Sequence, residues 1–552
     1  MPEPVVAPPA SPAQTTLWTP FAYSIFRAIW IAGLVSNVGT WMQNVAGVWL
    51  VTALTASATL VALMQTATSL PALLLSMPGG VLADLVDRRR LLLFTQGFMA
   101  VVALGLGALT LADGVSAYGV LGFTFLLGMG AALNLPIWQS IVTELVPRPA
   151  VPSAITLNGV SNNIARAIGP AIGGVIIAYY SPGWVFVLNG ISFLGTWAMV
   201  YFWKRPPTAT NGPAENFVGA LRAGLRYVQY SPAIYGVLVR TFAFSFGASA
   251  MWALTSVVVK NLNLSAGHYG ATLSWLGGGA VTGAVLMGRA GSRLNFNQRI
   301  LLGVLAFVGT NLALALVSQI YVLYAVMFVT GIAWLLVMTS FSTTVQLSVP
   351  KWVQARVISV YMLVFQAGLS VGSLVWGELA DYFSLRTSLL AAAGWMLAST
   401  LLALPFPMRS AEGLNLEPAD DRPNIRGEDA IDPDNGPVLV MIEYRIGPAD
   451  WPAFQAAAEE LKRLRLRDGA LRAGVFADVA DPTRITEFYY VATWGEHQRQ
   501  HHRFTREDQI VEARVRRFHQ GPAESRVTHF LAFPNTSNVE VATPISTLES
   551  QR

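Results

Sequence analysis

Charges held inside apolar runs are the residues of this chain best suited to chemistry, because a side chain so costly to keep there faces a cavity or a partner. Arg166 is one, in the stretch NNIARAIGPAIGG at residues 162–174. Its guanidinium could bind an anionic substrate or pair with an acid, and Asn158, Asn162 and Asn163 stand beside it. Asn37, Trp41 and Asn44 recur at helical spacing and can share one face. There an indole and amides would suit a bulky, partly aromatic ligand, or pack between helices. Glu378 and Asp381, in VWGELADYF, are the leading acids of an apolar run and hence the candidates for proton exchange, although Asp381 could instead face solvent at the lipid boundary.

Two further stretches suit a gate. In GGVLADLVDRRRLLL, at residues 79–93, Asp84 can accept hydrogen bonds from a helix terminus or a basic side chain, and Arg88 and Arg89 supply partners. The plainer reading is a basic anchor at the membrane boundary. In ARAIGPAIGG, Gly169, Gly173 and Gly174 strip one helix surface of side chains so that a neighbouring helix can approach closely. Pro170 removes a backbone donor, which leaves the helix bendable or merely packed. The chain has no cysteine, which excludes disulfides and thiolate metal sites. His497 and His501 are four apart and could share a helix face, but no third ligand is evident. The GRAGSR stretch lacks the lysine of a phosphate loop, which argues against ATP-driven pumping. No cofactor, metal site or nucleic-acid partner is expected.

The elements that must position these residues are membrane spans. The 552 residues are 53% hydrophobic and only 12% charged, against about 25% charged in a soluble protein, and the mean hydropathy is +0.48. A span needs roughly 20 apolar residues, and twelve such segments succeed one another up to about residue 405. The first two are expected at 21–47 and 54–78. Lys and Arg concentrate in one set of loops, whereas the opposite set holds only Lys260 and Arg386. By the positive-inside rule both termini are cytoplasmic. A worn repeat pairs Pro147 with Pro350, Gly169 with Gly372, Gly174 with Gly377, Gly80 with Gly283 and Arg90 with Arg293 at one constant spacing. Two six-helix halves follow, an arrangement suited to rocking about a central site.

The loop with Gly80, Leu82, Ala83, Asp84, Arg88 and Arg89 in register resembles the signature loop of the major facilitator superfamily, with Asp87 where that pattern has glycine. The stretch around Gly169 and Pro170 resembles the glycine-proline motif of its exporters. With SNVGTWMQNVAGVWLVTALTASA and PIWQSIVTELVPR, the chain is similar to the branch that holds the transmembrane secretion effector proteins and enterobactin exporters. That resemblance implies proton-driven export of a siderophore-like, macrolide-like or other amphipathic small molecule from a bacterial cytoplasmic membrane. A membrane receptor or scaffold is the alternative.

The expected organisation is a disordered leader (1–19), a six-helix bundle (20–203), a central cytoplasmic loop (204–233), a second six-helix bundle (234–408), a linker (409–437), a soluble domain (438–535) and a disordered tail (536–552). The soluble segment reads β-α-β-β-α-β, which is ferredoxin-like. It resembles the antibiotic-biosynthesis-monooxygenase fold, yet fold alone establishes no catalysis, and no enzyme activity is expected. Regulation of transport or homodimerisation is its expected role. The fold class is thus an all-α polytopic membrane protein of twelve helices plus a small α+β domain, in contact with lipid, a small-molecule substrate and protons.

Overall fold

The structure, a computed structural model, describes residues 16–142, 144–203, 217–290, 294–408, 415–419, 431–521 and 525–532. Most of the expected leader and tail, much of the linker, and Arg293 lie outside the described residues. The chain forms two compact units. The first comprises Met1–Phe217, Gly236–Thr344 and Ser359–Ser410; the second comprises Val218–Tyr235, Val345–Ile358 and Ala411–Arg552.

Long helices dominate because in hydrocarbon every backbone N–H and C=O must find its partner within the segment. They are α1 (Ser24–Leu54), α2 (Ala58–Leu85), α3 (Arg88–Leu111), α4 (Ala117–Val142), α5 (Val151–Tyr179), α6 (Pro182–Phe202), the short amphipathic α7 (Phe217–Tyr230), then α8 (Pro232–Asn261), α9 (Ala266–Ala290), α10 (Phe296–Leu316), α11 (Ile320–Leu347), α12 (Lys351–Tyr382) and α13 (Leu385–Ser399). Among the described residues, eleven helices are long and apolar enough to cross a membrane. The twelfth expected span is α5, which is 29 residues long but diluted by Asn158, Asn162, Asn163 and Arg166. The break between the first two spans falls later than expected. Helix α1 continues through the apolar Val48–Leu54 segment, and only Thr55–Ser57 form the turn.

The glycine repeat has a structural meaning. A Cβ on Gly169 would sit 2.6 Å from the Trp41 Cβ of α1, and one on Gly372 would sit 2.9 Å from the Phe246 Cα of α8. The next pair makes the half-to-half contacts. A Cβ on Gly174 would lie 3.0 Å from the Gly270 Cα of α9, and one on Gly377 would lie 3.0 Å from the Thr59 Cα of α2. Equivalent positions therefore pack α5 and α12 against equivalent partners. Local signals at the hairpins agree: Asp87 accepts from the Arg90 N–H to start α3, and Ser384 accepts from the Thr387 N–H to start α13. Such caps satisfy donors that a helix start leaves orphaned.

In the second unit, β1 (Val438–Arg445), β2 (Arg472–Ala477), β3 (Arg484–Val491) and β4 (Arg526–Leu531) form an antiparallel sheet in the order β2-β3-β1-β4. Strict alternation along β1 turns Val438, Val440, Ile442 and Tyr444 to the core, where they meet Phe454 and Leu461 of α14 (Trp451–Asp468). Two short helices, α15 (Trp494–Arg503) and α16 (Arg506–Arg516), precede β4. Parts of the expected linker are fastened to this domain: the Ala419 N–H donates to the Phe504 carbonyl, and the Trp494 N–H donates to that of Asn435. The expected central loop also contains a helix, α7, which falls within the second unit.

Candidate functional site: an amide-lined cavity in the bundle

A cavity of about 830 Å³ opens inside the first unit, within the range of small-molecule sites. Six helices of the first half supply most of its wall, and the second half adds Trp252, Tyr269, Leu273, Trp334 and Leu369. Helical periodicity brings Asn37, Trp41 and Asn44 to it from α1, and Asn134 and Trp138 from α4. Ten of its lining side chains are Asn or Gln, and among the described lining residues none carries a charge. Some amides engage one another: Asn189 donates to Gln43 at 2.6 Å, and Gln96 donates to Asn134 at 3.2 Å. Asn37 donates to the Ser161 hydroxyl at 3.3 Å, and Asn162 donates to the Asn158 carbonyl at 3.3 Å. The Oε1 of Gln96 and the indole N–H of Trp252 are buried without a partner.

Asn37, Trp41 and Asn162 thus line the cavity, and Arg166 stands apart from them. Its guanidinium lies over the Trp41 ring, 5.4 Å from the centroid, and its Nε has no hydrogen-bond partner. Its own carbonyl lies beside Gly277 of α9, so the residue sits at the α5–α9 crossing, behind the indole. Arg166, a cavity candidate from the sequence, is not among the lining residues. Gln65, Gln96, Asn134, Gln139 and Asn189 are not singled out by motif or spacing, although amides inside apolar runs are the signal that marks them.

At the end of the bundle that carries the α1–α2 turn, two charges of the second half hold that turn from both sides. Asp381 accepts from the Ser57 hydroxyl at 2.6 Å, the Ala58 N–H at 2.6 Å and the Thr59 N–H at 3.0 Å. It therefore caps the start of α2 from α12. The Lys260 ammonium of α8 donates to the Thr52 and Thr55 carbonyls at the end of α1. An anion at a helix N-terminus and a cation at a C-terminus are each favourable to the helix dipole. Nearby, Thr52 donates to Ser256 at 2.9 Å and Trp49 stacks on Tyr269 at 6.0 Å. The peptide GELAD that ends in Asp381 matches GVLAD that ends in Asp84, and Ser384 then matches Asp87 in sequence and in capping role. Glu378, one turn earlier, is exposed.

The remaining gate candidates make separate contacts. Arg88 pairs with Glu144 at 2.8 Å. Arg89 donates to the Val200 carbonyl at 3.1 Å and to that of Tyr201, at the end of α6. Gly80 and Asp84 lie on α2, but their side-chain surroundings fall outside the described residues. Gly169 and Gly173 approach α1, whereas Gly174 and the Pro170 carbonyl approach Gly270 of α9.

The second unit carries its own buried charge network. Arg467 pairs with Asp468 at 2.8 Å and Asp508 at 2.7 Å, and it lies over the Tyr227 ring of α7 at 5.3 Å. Arg503 pairs with Glu496, which also receives Arg226 at 3.5 Å, and it lies over Trp352 at 4.7 Å. Burial opposes ionisation of Glu496, but the hydrogen bond and charge of Arg503 outweigh it and hold the carboxyl below its usual range. The histidine pair gains a neighbour that spacing does not reveal. His497 and His501 bring their Nε2 atoms to 3.3 Å, and the His529 ring of β4 lies 4.9 Å from that of His497. Burial, and then His501 and His529, push His497 down to about 3, so it is neutral. Among the described residues no three such groups converge on a metal position.

A family model described as transmembrane secretion effector matches residues 15–537. The chain belongs to that family. As a transmembrane secretion effector it is an efflux transporter of the major facilitator superfamily and a multi-pass protein of the bacterial inner membrane. It is 25% identical over 386 residues to the enterobactin exporter EntS of Shigella flexneri, covering 69% of this chain and 91% of that one. The figures for EntS of Citrobacter koseri are the same. Among solved structures it is similar to an inward-facing bacterial homologue of the lysosomal transporter Spinster, with a TM-score of 0.57 at 14% identity over 70% of this chain and 98% of that one. It is also similar to the nucleoside transporter NupG, with a TM-score of 0.55 at 11% identity over 70% and 100%. These neighbours share the fold.

Proposed function

We propose that this transporter exports a bulky small molecule by alternating access, in exchange for protons, with the amide-lined cavity as the carrying site. The observation that carries the reading is one cavity walled by both halves while charges of one half cap helix ends of the other at a single end of the bundle. Lys and Arg counting puts the termini in the cytoplasm and the α1–α2 turn outside. The captured turn is then the closed outer gate. Three donors on the Asp381 carboxylate favour its charged form, so it serves the closed gate as a fixed anion. Lys260, Glu378 and Arg386 are ionisable groups at the same end, and Glu378 is the better coupling candidate. Arg88, Arg89, Asp84 and Gly80 belong to the cytoplasmic gate, while Gly169, Pro170, Gly173 and Gly174 form the surface on which α5 moves.

The enterobactin exporters among its relatives make a siderophore-like cargo the first to try, followed by a macrolide and an amphipathic dye. The test is uptake into inside-out proteoliposomes with and without an imposed pH gradient. Uptake that collapses with the gradient supports exchange with protons. Uptake indifferent to it, or absent for every cargo from folded protein, refutes that coupling or the carrier role respectively.

A second reading concerns the soluble domain. The face of its sheet remote from the helices holds Phe476, which is 64% exposed and stacks on Phe488 at 5.1 Å. We infer that two copies pair through this face and thereby regulate transport. Native mass spectrometry of the whole protein in nanodiscs carrying one or two chains tests it, with Phe476→Asp expected to return dimers to monomers.

A further inference from the structure

Resting on the reading that the bundle alternates between two states, we infer that the soluble domain is a built-in brake. It grips α7 together with the first turns of α12, and so holds α12 in the pose in which Asp381 captures the outer turn. The grip lies wholly within the second unit. Ala223, Tyr227 and Val228 of α7 are buried, and this helix meets the start of α12. A Cβ on Gly224 would lie 3.0 Å from the Arg356 Cβ, and the Tyr227 and Trp352 rings meet edge to face at 6.0 Å. Two arginines of the soluble domain lie over the same two rings, Arg467 over Tyr227 at 5.3 Å and Arg503 over Trp352 at 4.7 Å. Both side chains are only 9% exposed, and a desolvated cation over an aromatic face holds more strongly than an exposed one. Asp468 and Asp508 fix Arg467 from the domain side, while Glu496 and the Asp468 carbonyl fix Arg503. Arg226 of α7 adds an ion pair to Glu496.

The grip bears on two helices of the second half. Only Ser231 separates α7 from α8, so a held α7 holds the start of α8. Helix α12 is continuous from Lys351 to Tyr382, with Trp352 in the grip and Asp381 on the cap of α2. It packs closely on α8, where a Cβ on Gly368 would lie 3.0 Å from the Phe242 carbonyl oxygen. A shift of α12 along α8 therefore pulls Trp352 away from Tyr227 and breaks the grip. An interaction biases a two-state balance by what it gains in one state over the other. The domain thus opposes the displacement of α12 that frees Asp381.

The test uses the full-length protein in nanodiscs. Tyr227→Ala with Trp352→Ala removes both ring faces and leaves the ion pairs of the domain in place, whereas Tyr227→Phe with Trp352→Phe keeps an aromatic face at each position. Hydrogen exchange of α7 and of residues 351–358 is expected to quicken about tenfold in the alanine pair, with the amides of β1 and β3 as slow as in the parent. Spin labels at Tyr118→Cys and Tyr321→Cys, exposed positions in opposite halves, read the separation at the outer end. The fraction of far separations is expected to rise about tenfold in the alanine pair and to stay at the parent value in the phenylalanine pair. Arg226→Gln leaves Glu496 to Arg499 and Arg503, so the domain keeps its fold, and the far fraction is expected to rise about twofold. A loosened α7 with an unchanged far fraction overturns the brake, as does an α7 that stays protected in the alanine pair. A far fraction that responds to Asp381→Asn but to none of the grip variants refutes only this inference. One that responds to neither refutes the alternation itself.

Discussion

On the proposed alternation between two states, replacing Asp381 by asparagine should shift their balance, and the size of the shift follows from the hydrogen bonds that the carboxylate makes. It accepts from one hydroxyl and two backbone N–H groups at the start of α2. An asparagine presents one acceptor atom and a donor NH2, so at least one of the Ala58 and Thr59 donors must turn to water. Loss of a cap costs about 0.5–2 kcal/mol, and loss of the anion from the helix N-terminus about 0.3–1 kcal/mol. Solvent screening at this exposed position keeps the sum near the lower part of that range, about 1.4 kcal/mol, which is a factor of about ten in the population ratio. The helices themselves persist, because their core packing is untouched, so the loss falls on the latched state alone.

The chain has no cysteine, so spin labels can be placed without a background. Tyr118 at the start of α4 and Tyr321 at the start of α11 are 72% and 81% exposed and belong to opposite halves at the same end. With cysteines at those two positions, pulsed dipolar spectroscopy in nanodiscs reads the ratio of near to far separations. Asp381→Asn should raise the far fraction about tenfold relative to the near one. A distance distribution that moves by less than about twofold would refute the latch.

Three other outcomes follow from the packing and charges. Gly174→Val should lower the melting temperature, because even a Cβ would press 3.0 Å from the Gly270 Cα and two more carbons overpack the crossing by about 1–3 kcal/mol; a scanning-fluorimetry trace unchanged by the substitution would contradict this. Arg467→Met should destabilise the soluble domain by about 3–5 kcal/mol, since Asp468 and Asp508 would remain buried without their cation, and hydrogen exchange across residues 451–516 of the whole protein reads the loss. His497, held near 3 in the fold against about 6.5 in an unfolded chain, lends stability that is complete above the unfolded value and drains as pH falls towards the folded one. Between pH 6.5 and 5 the domain should lose about 2 kcal/mol at about 1.4 kcal/mol per unit, and His497→Phe should flatten that dependence in the same exchange experiment.

The architecture is legible because membrane spans announce themselves by composition and length, and because a glycine needed for close approach cannot drift. Gly169, Gly174, Gly372 and Gly377 keep their spacing, and each touches the helix that the two-fold relation requires. The soluble domain is equally readable, since β1 alternates strictly along its length. The cavity is legible only in part. Asn37, Trp41 and Asn162 reach it, but rotation about a helix axis is set by neighbours far away in sequence. That is why Arg166 lies behind an indole, and why neither motif nor spacing marks Asn134 and Gln96. His529 meets His497 through strand register, which spacing along α15 cannot reveal.

The latch is written in the sequence in a form that the direct repeat hides. One constant spacing relates α5 to α12, whereas GVLAD on α2 recurs as GELAD on α12 at a different one. Helices α2 and α12 run in opposite directions between the two faces, so these peptides stand at opposite ends of the bundle, each followed by a residue that caps the next helix, Asp87 or Ser384. Four of the five residues of this peptide thus recur at the ends of helices that run in opposite directions. That recurrence explains why an acid with the sequence context of a solvent-facing boundary residue instead holds the other half by a helix end. A charge at a span terminus is cheap to keep for water alone, but three donors on one carboxylate from a different half make Asp381 a contact between the halves. The same reasoning directs attention from the centre of the spans, where a buried acid is costly, to the helix ends that the acids cap.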